Sequence, residues 1–142
     1  MHLLDTNVLS ELRKAKSGRA DANVVAWAAR MPADRLFLSA VTVLELETGV
    51  LQMERRDANQ GRRLRLWLEN QVLQVFANRI LPMDTEVARR CAALHVPNRC
   101  ADRDAMIAAT ALVHRMTVVT RNTADFNACG VDLLNPWEMA GT

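Results

Sequence analysis

Short apolar runs alternate along this chain with longer stretches of helical periodicity, which predicts βα units around a mainly parallel sheet. Leu3-Leu4 runs straight into Asp5, a short buried strand ending in a carboxylate. A helix from about Val8 to Arg13 and a basic loop through Arg19 follow. Asp21 caps a helix from Ala22 to Met31, which Pro32 cannot continue. Leu36-Phe37-Leu38 is the next strand, and Ser39 starts a helix through about Met53. From about Ala58 to Val75 a long helix buries Leu64, Leu68, Val72 and Val75 and exposes Arg55, Arg56, Arg62 and Arg63 on its own and the preceding turns. After a strand near Ile80-Leu81, Asp84 or Thr85 caps a helix to about Leu94, and Pro97 lies in the loop beyond it. Asp102 caps a helix from Arg103 to Arg115, Thr117-Val118-Val119-Thr120 is a β-branched strand, and Leu133-Leu134 is a last edge strand before Asn135-Pro136-Trp137. The expected fold is α/β: a three-layer α/β/α sandwich with a central, mainly parallel sheet of four or five strands.

With 142 residues, 50% of them hydrophobic, the chain can bury one good core, and we expect one domain over residues 1–142. That apolar share leaves surface over for a second copy or another partner. Cys91, Cys100 and Cys129 are odd in number and lack C-x-x-C spacing, which argues against a disulfide framework or a closed zinc site and for a reducing compartment. Asp5 interrupts the first apolar run too early for a signal peptide, and no apolar stretch is as long as a membrane span, so a cytoplasmic protein is expected.

In open parallel sheets, ligands bind beyond the carboxyl ends of the strands, where strand order reverses. Asp5 ends the first strand, Asn122 and Asp125 follow the Val118-Val119-Thr120 strand, and Glu45 lies on the helix after Leu36-Phe37-Leu38. Asp104 precedes Ile107, Ala108 and Ala111 by three, four and seven positions, which puts an acid on the stripe that packs on the sheet. Each acid also has a plainer use. Asp104 can interact with the helix dipole, Asp5 can cap the helix that begins at Thr6-Asn7, and Asp125 can cap the short helix after it. Glu45 has Gly49 one turn away, which leaves room beside it, whereas Glu47 and Glu54 look like solvated acids. The functional case rests on convergence. Carboxylates meeting without histidine or cysteine suit a hard cation with oxygen ligands, Mg²⁺ or Mn²⁺, which can activate water and neutralise charge at a phosphodiester.

Net charge is only +2, but with Asp5, Glu45, Asp104 and Asp125 committed to a pocket, 18 basic residues face 12 remaining acids, a balance of +6 that is almost all arginine. A basic surface around an acidic pocket favours a polyanionic substrate, although such arginines also simply solvate helix faces. Rival chemistries lack their parts. There is no G-x-x-x-x-G-K-[ST], G-x-G-x-x-G or G-x-S-x-G, and His2, His95 and His114 are scattered. Asp5-Thr6-Asn7 has Asn7 where an aspartyl phosphatase needs its second Asp.

With these residues in view, the sequence resembles the PIN-domain family, and in particular VapC-type toxins of the FitB-like branch from type II toxin–antitoxin systems. The likeness covers nearly the whole chain. It is carried by Leu3-Leu4-Asp5-Thr6-Asn7-Val8, by Ser39 through Leu46 with Gly49, by Asp104-Ala105-Met106-Ile107-Ala108-Ala109-Thr110, and by Thr120-Arg121-Asn122-Thr123-Ala124-Asp125-Phe126 with the closing Asn135-Pro136-Trp137. The resemblance implies a PIN-like fold and a Mg²⁺- or Mn²⁺-dependent endoribonuclease that is homodimeric and silenced by a cognate antitoxin, meeting DNA only through that antitoxin. It further implies that Asp5 and Asp104 are metal ligands, that Glu45 completes the site, and that Asp125 is a fourth acid. Asn122 stands where the FitB-like branch has an acid. Two rivals stay open: a catalytically weak subunit acting within a DNA-bound complex, and a DNA nuclease using the same metals. RNA and DNA cleavage assays on the purified protein separate them.

Overall fold

A computed structural model describes residues 1–139, so the last three positions of the expected domain lie outside the described residues. Five strands, β1 (His2–Leu4), β2 (Leu36–Ser39), β3 (Ile80–Leu81), β4 (Thr117–Val119) and β5 (Leu133–Leu134), form one sheet in the order β3-β2-β1-β4-β5. Every pairing is parallel, with Leu3 opposite Phe37 on one side and Val118 on the other. The helices are α1 (Thr6–Arg13), α2 (Ala22–Arg30), α3 (Ala40–Arg56), α4 (Ala58–Trp67), α5 (Thr85–Leu94), α6 (Asp102–His114) and α7 (Thr123–Phe126). None of them is long and apolar enough to cross a membrane.

The strands read as apolar runs because the sheet is covered on both faces. Neighbouring residues on a strand point to opposite sides, so Leu4, Leu38, Val119 and Leu134 pack with α1, α2, α3 and α4, while Leu3, Phe37, Val118 and Leu133 pack with α6 and α7. This is the three-layer sandwich the alternation predicts. Strand order runs outward from β1 in both directions, through β2 to β3 and through β4 to β5, so the reversal falls between β1 and β4.

Most helix starts follow the sequence. Asp21 accepts from the backbone N–H of Asn23 and Val24, Ser39 from Val41, and Asp84, rather than Thr85, from Val87. Asp102 departs from expectation. Ala101 stands at the N-cap of α6, and the Asp102 carboxylate turns to Arg99 Nη2 at 3.1 Å instead of the helix amides. Val75 also departs, being half exposed where burial was expected. The helix after α4 widens into a π turn over Leu68–Leu73, whose extra residue advances the register, so Phe76 takes the core position next to Leu68 and Val72. Arg55, Arg56, Arg62 and Arg63 are exposed as predicted. Helices α3 and α4 touch closely through Gly61, where a Cβ would lie 2.5 Å from Glu54 Cα.

Candidate active site

The carboxyl edge of β1 and β4 opens into a cleft of about 540 Å³. Asp5 leaves β1 with its backbone still bonded to the sheet, its N–H donating to Val119 O at 2.9 Å. Its side chain is then fixed from three sides. Oδ1 accepts from Thr6 N at 2.8 Å, and Oδ2 accepts from Thr120 Oγ1 at 2.8 Å and Asn7 Nδ2 at 3.3 Å. The helix-cap reading of Asp5 and the functional one therefore both hold, because one carboxylate caps α1 and faces the cleft.

Glu45 comes to the same cleft from α3, where Oε1 accepts from Thr6 Oγ1 at 2.8 Å and Oε2 lies 3.7 Å from Arg103. Asp104 arrives from the first turn of α6. Ile107, Ala108 and Ala111 below it are buried against the sheet, and Asp104, half buried, is the last member of that stripe where it runs out over the cleft. Thr6 and Thr120 are the residues that sequence reasoning passed over as anything but motif members. Their hydroxyls orient Glu45 and Asp5, and only the β1–β4 adjacency brings Thr120 to Asp5 across 115 positions of chain.

Electrostatics mark two of these acids. Burial pushes the Asp5 carboxyl above its ordinary value; the Thr120 and Thr6 bonds oppose this, and the charges of Glu45 and Asp125 add to it. Asp104 is also raised, by burial first and then by Asp5, Asp125 and Glu45. Asp125 adds its charge to both shifts. It is exposed in α7, outside the residues lining the cleft, whereas Asn122 does line it. Asp125 lies within α7 and so does not cap it; Asn122 stands at the N-cap without a side-chain cap bond, and its N–H donates to Thr120 Oγ1 at 3.0 Å. The space beside Gly49 is open, but the glycine is not what makes room for Glu45, because a Cβ there would meet nothing within 4 Å.

Among the described residues no three His, Cys, Asp or Glu side chains stand together as a group able to hold a metal ion. The donor set nonetheless suits a hard cation. It consists of oxygens alone, two of the carboxylates are under like-charge strain, and two direct carboxylates with waters completing the shell are what Mg²⁺ commonly accepts.

Residues 2–130 match the PIN domain family, and the chain belongs to it. It is 42% identical to a protein named VapC ribonuclease Y4jK from Sinorhizobium fredii, over 99% of this chain and 100% of the relative. It is likewise 42% identical to Toxin FitB of Neisseria gonorrhoeae, over 96% of this chain and 99% of the relative. Among solved structures, FitAB bound to IR36 DNA matches with a TM-score of 0.88 and 37% identity, over 99% of this chain and 98% of that chain. A toxin–antitoxin complex from Klebsiella pneumoniae matches with a TM-score of 0.67 and 28% identity, over 98% of this chain and 100% of that chain.

Proposed function

We propose that the chain is a PIN-domain endoribonuclease, the toxin of a type II toxin–antitoxin pair, and that it cuts RNA at the cleft between β1 and β4. The observation that carries this reading is the convergence of Asp5, Glu45 and Asp104 on one cleft at the strand-order reversal, with Asp5 and Asp104 both raised in pKa. The full-length relative named a VapC ribonuclease supports the reaction, and the neighbouring toxin–antitoxin and DNA-bound complexes support an antitoxin partner through which DNA is met indirectly.

Asp5 and Asp104 would hold Mg²⁺ or Mn²⁺, which when bound supplies positive charge at the scissile phosphate and makes water a better nucleophile. Thr6, Thr120 and Asn7 hold the Asp5 oxygens in place before any ligand arrives. Glu45 has one oxygen committed to Thr6, which leaves Oε2 to accept a proton from the attacking water. Arg13 and Lys14 on the cleft wall meet the flanking phosphates. Asp125 lends negative field from outside. The expected homodimer belongs to this reading, and Leu44 and Leu51, half exposed two turns apart on α3, supply apolar surface for it.

The test is cleavage of defined RNA and DNA oligonucleotides by the purified chain in Mg²⁺, Mn²⁺, Ca²⁺ or excess chelator. RNA cleavage with Mg²⁺ or Mn²⁺, little with Ca²⁺ and none in chelator is expected. Full activity in chelator, or DNA cut in preference to RNA, overturns the reading.

A further inference from the structure

The cleft has an aromatic wall that the proposed chemistry leaves unused. Trp137 lines it together with Asp5, Glu45 and Asp104, and the Arg121 guanidinium stands over the indole, 5.4 Å from the ring centroid. Arg121 is exposed, directly follows Thr120, and has no acid within ion-pair distance among the described residues.

The backbone segments that carry both side chains are held from behind. Arg121 N donates to Asn7 Oδ1 at 3.3 Å, and Asn135 Nδ2 donates to Arg121 O at 3.4 Å. The same Asn135 accepts from Trp137 N through Oδ1 at 2.9 Å, and Trp137 O accepts from Asn23 Nδ2 at 2.8 Å. These bonds tie the segments after β4 and β5 to each other, to α1 and to α2. They set the Arg121 guanidinium over the Trp137 ring at the lip of the acid cleft, with Trp137 also packed against the core.

We propose that Arg121 and Trp137 form a subsite for an unpaired nucleobase of the substrate, placed so that a base beside the scissile phosphate stacks on the guanidinium with the indole behind it. This rests on the RNA reading and narrows it to single-stranded segments. Bases inside a duplex are already stacked on both faces, whereas a splayed base presents a free face to an aromatic or guanidinium plane. Stacking of this kind tolerates every base, so the pair selects strandedness over sequence. A ring that merely pinned the C-terminal segment to the core would gain nothing from an exposed guanidinium above it.

The full chain is assayed on a single-stranded RNA oligonucleotide and on a hairpin carrying the same sequence in its stem. Arg121→Ala and Trp137→Ala each raise KM for the single strand by about tenfold with a much smaller change in kcat, while Trp137→Phe keeps most of the affinity. Tryptophan fluorescence is quenched on adding the single strand to wild type, and that quenching is lost in Trp137→Phe. If Trp137→Ala does not fold, the exposed Arg121 variant decides. An unchanged KM in Arg121→Ala, or an equal loss on the hairpin, overturns the subsite while leaving the nuclease in place. Weakened binding of the antitoxin with KM for RNA unchanged assigns the pair to the protein partner and also overturns it. A wild-type chain that cuts no RNA overturns the functional reading instead.

Discussion

Helix α3 carries acids to two clusters that end in opposite electrostatic states. Glu47, Glu54 and Glu69 gather round one guanidinium, with Arg65 Nη1 2.9 Å from Glu47 Oε1, Nη2 3.0 Å from Glu54 Oε1 and Nη1 3.4 Å from Glu69 Oε1. Arg65 holds the Glu54 carboxyl below its ordinary value, and the acids in turn raise the arginine. Two positions away from Glu47, Glu45 joins Asp5 and Asp104, where among the described residues the one ion pair is the 3.7 Å approach of Arg103, and the two aspartates are pushed up instead of down. The first cluster is paired within the fold, its three acids sharing one close guanidinium, and it joins α3 to α4. The second is left short of positive charge at the edge of the sheet. Pairing therefore separates the two better than the number of carboxylates does, because an acid kept without its cation is a cost that a bound cation can remove.

The strongest way to break this comparison is to neutralise acids in the second cluster. Asp5→Asn, Asp104→Asn and Glu45→Gln should each slow RNA cleavage by about 100-fold or more while the fold survives, since each removes a ligand or misplaces the attacking water. Asp125→Asn, which changes only the field, should cost about tenfold and recover in part at high Mn²⁺, and Asn122→Ala should cost less. Cleavage rates against metal concentration check the order. Wild-type rates in the Asp5 and Asp104 variants would show that the assigned cleft is wrong.

A change in the first cluster should do the reverse. Arg65→Met removes the shared cation and leaves Glu47, Glu54 and Glu69 repelling one another, and because all three acids are partly exposed the cost in stability is small. A fall in Tm of roughly 3–4 °C with kcat retained is expected. A loss of activity exceeding the loss of stability would tie this clamp to the site.

The difference between the clusters was only partly written in the sequence. Asp5 at a strand end, Asp104 on an apolar stripe and Glu45 one turn from Gly49 were legible because each depends on local periodicity. Asp21 and Ser39 were legible as caps for the same reason. The pairing of Arg65 with Glu47 and Glu54 was not, since it depends on α4 folding back along α3 through Gly61, and these acids looked solvated on their own helix. Thr120 was hidden for a similar reason: its link to Asp5 exists only once β4 lies beside β1. Asp125 was expected at the site from its place after the Val118-Val119-Thr120 strand and by resemblance; it is exposed in α7 while Phe126 is buried, and its charge adds to the raised pKa of Asp5. The π turn that moved Val75 out of the core leaves no mark in a pattern read at a fixed helical period.

The smallest expected effect concerns pH and needs no substrate. In the metal-free chain Asp5 and Asp104 both titrate above the ordinary value of 3.8, so between that value and their raised ones the folded state holds more protons than the unfolded state. Stability is then greatest at the acid end of that window and declines as pH rises through the raised values, after which it is level. Glu11 and Glu54 are lowered instead, so their contribution is present above the ordinary 4.5 and is lost as pH falls through their folded values. The two effects occupy different windows, and the difference between wild type and Asp5→Asn isolates the first. From about pH 4, just above the ordinary 3.8, to about pH 8 in chelator, wild type should lose roughly 1–2 °C of Tm relative to the variant. Adding Mg²⁺ at the upper pH should restore the loss in wild type and leave the variant nearly unchanged, because the cation binds the ionised pair that burial disfavours. Parallel melting curves for the two proteins across that range would show the acids of the cleft to be as well paired as those of the arginine clamp.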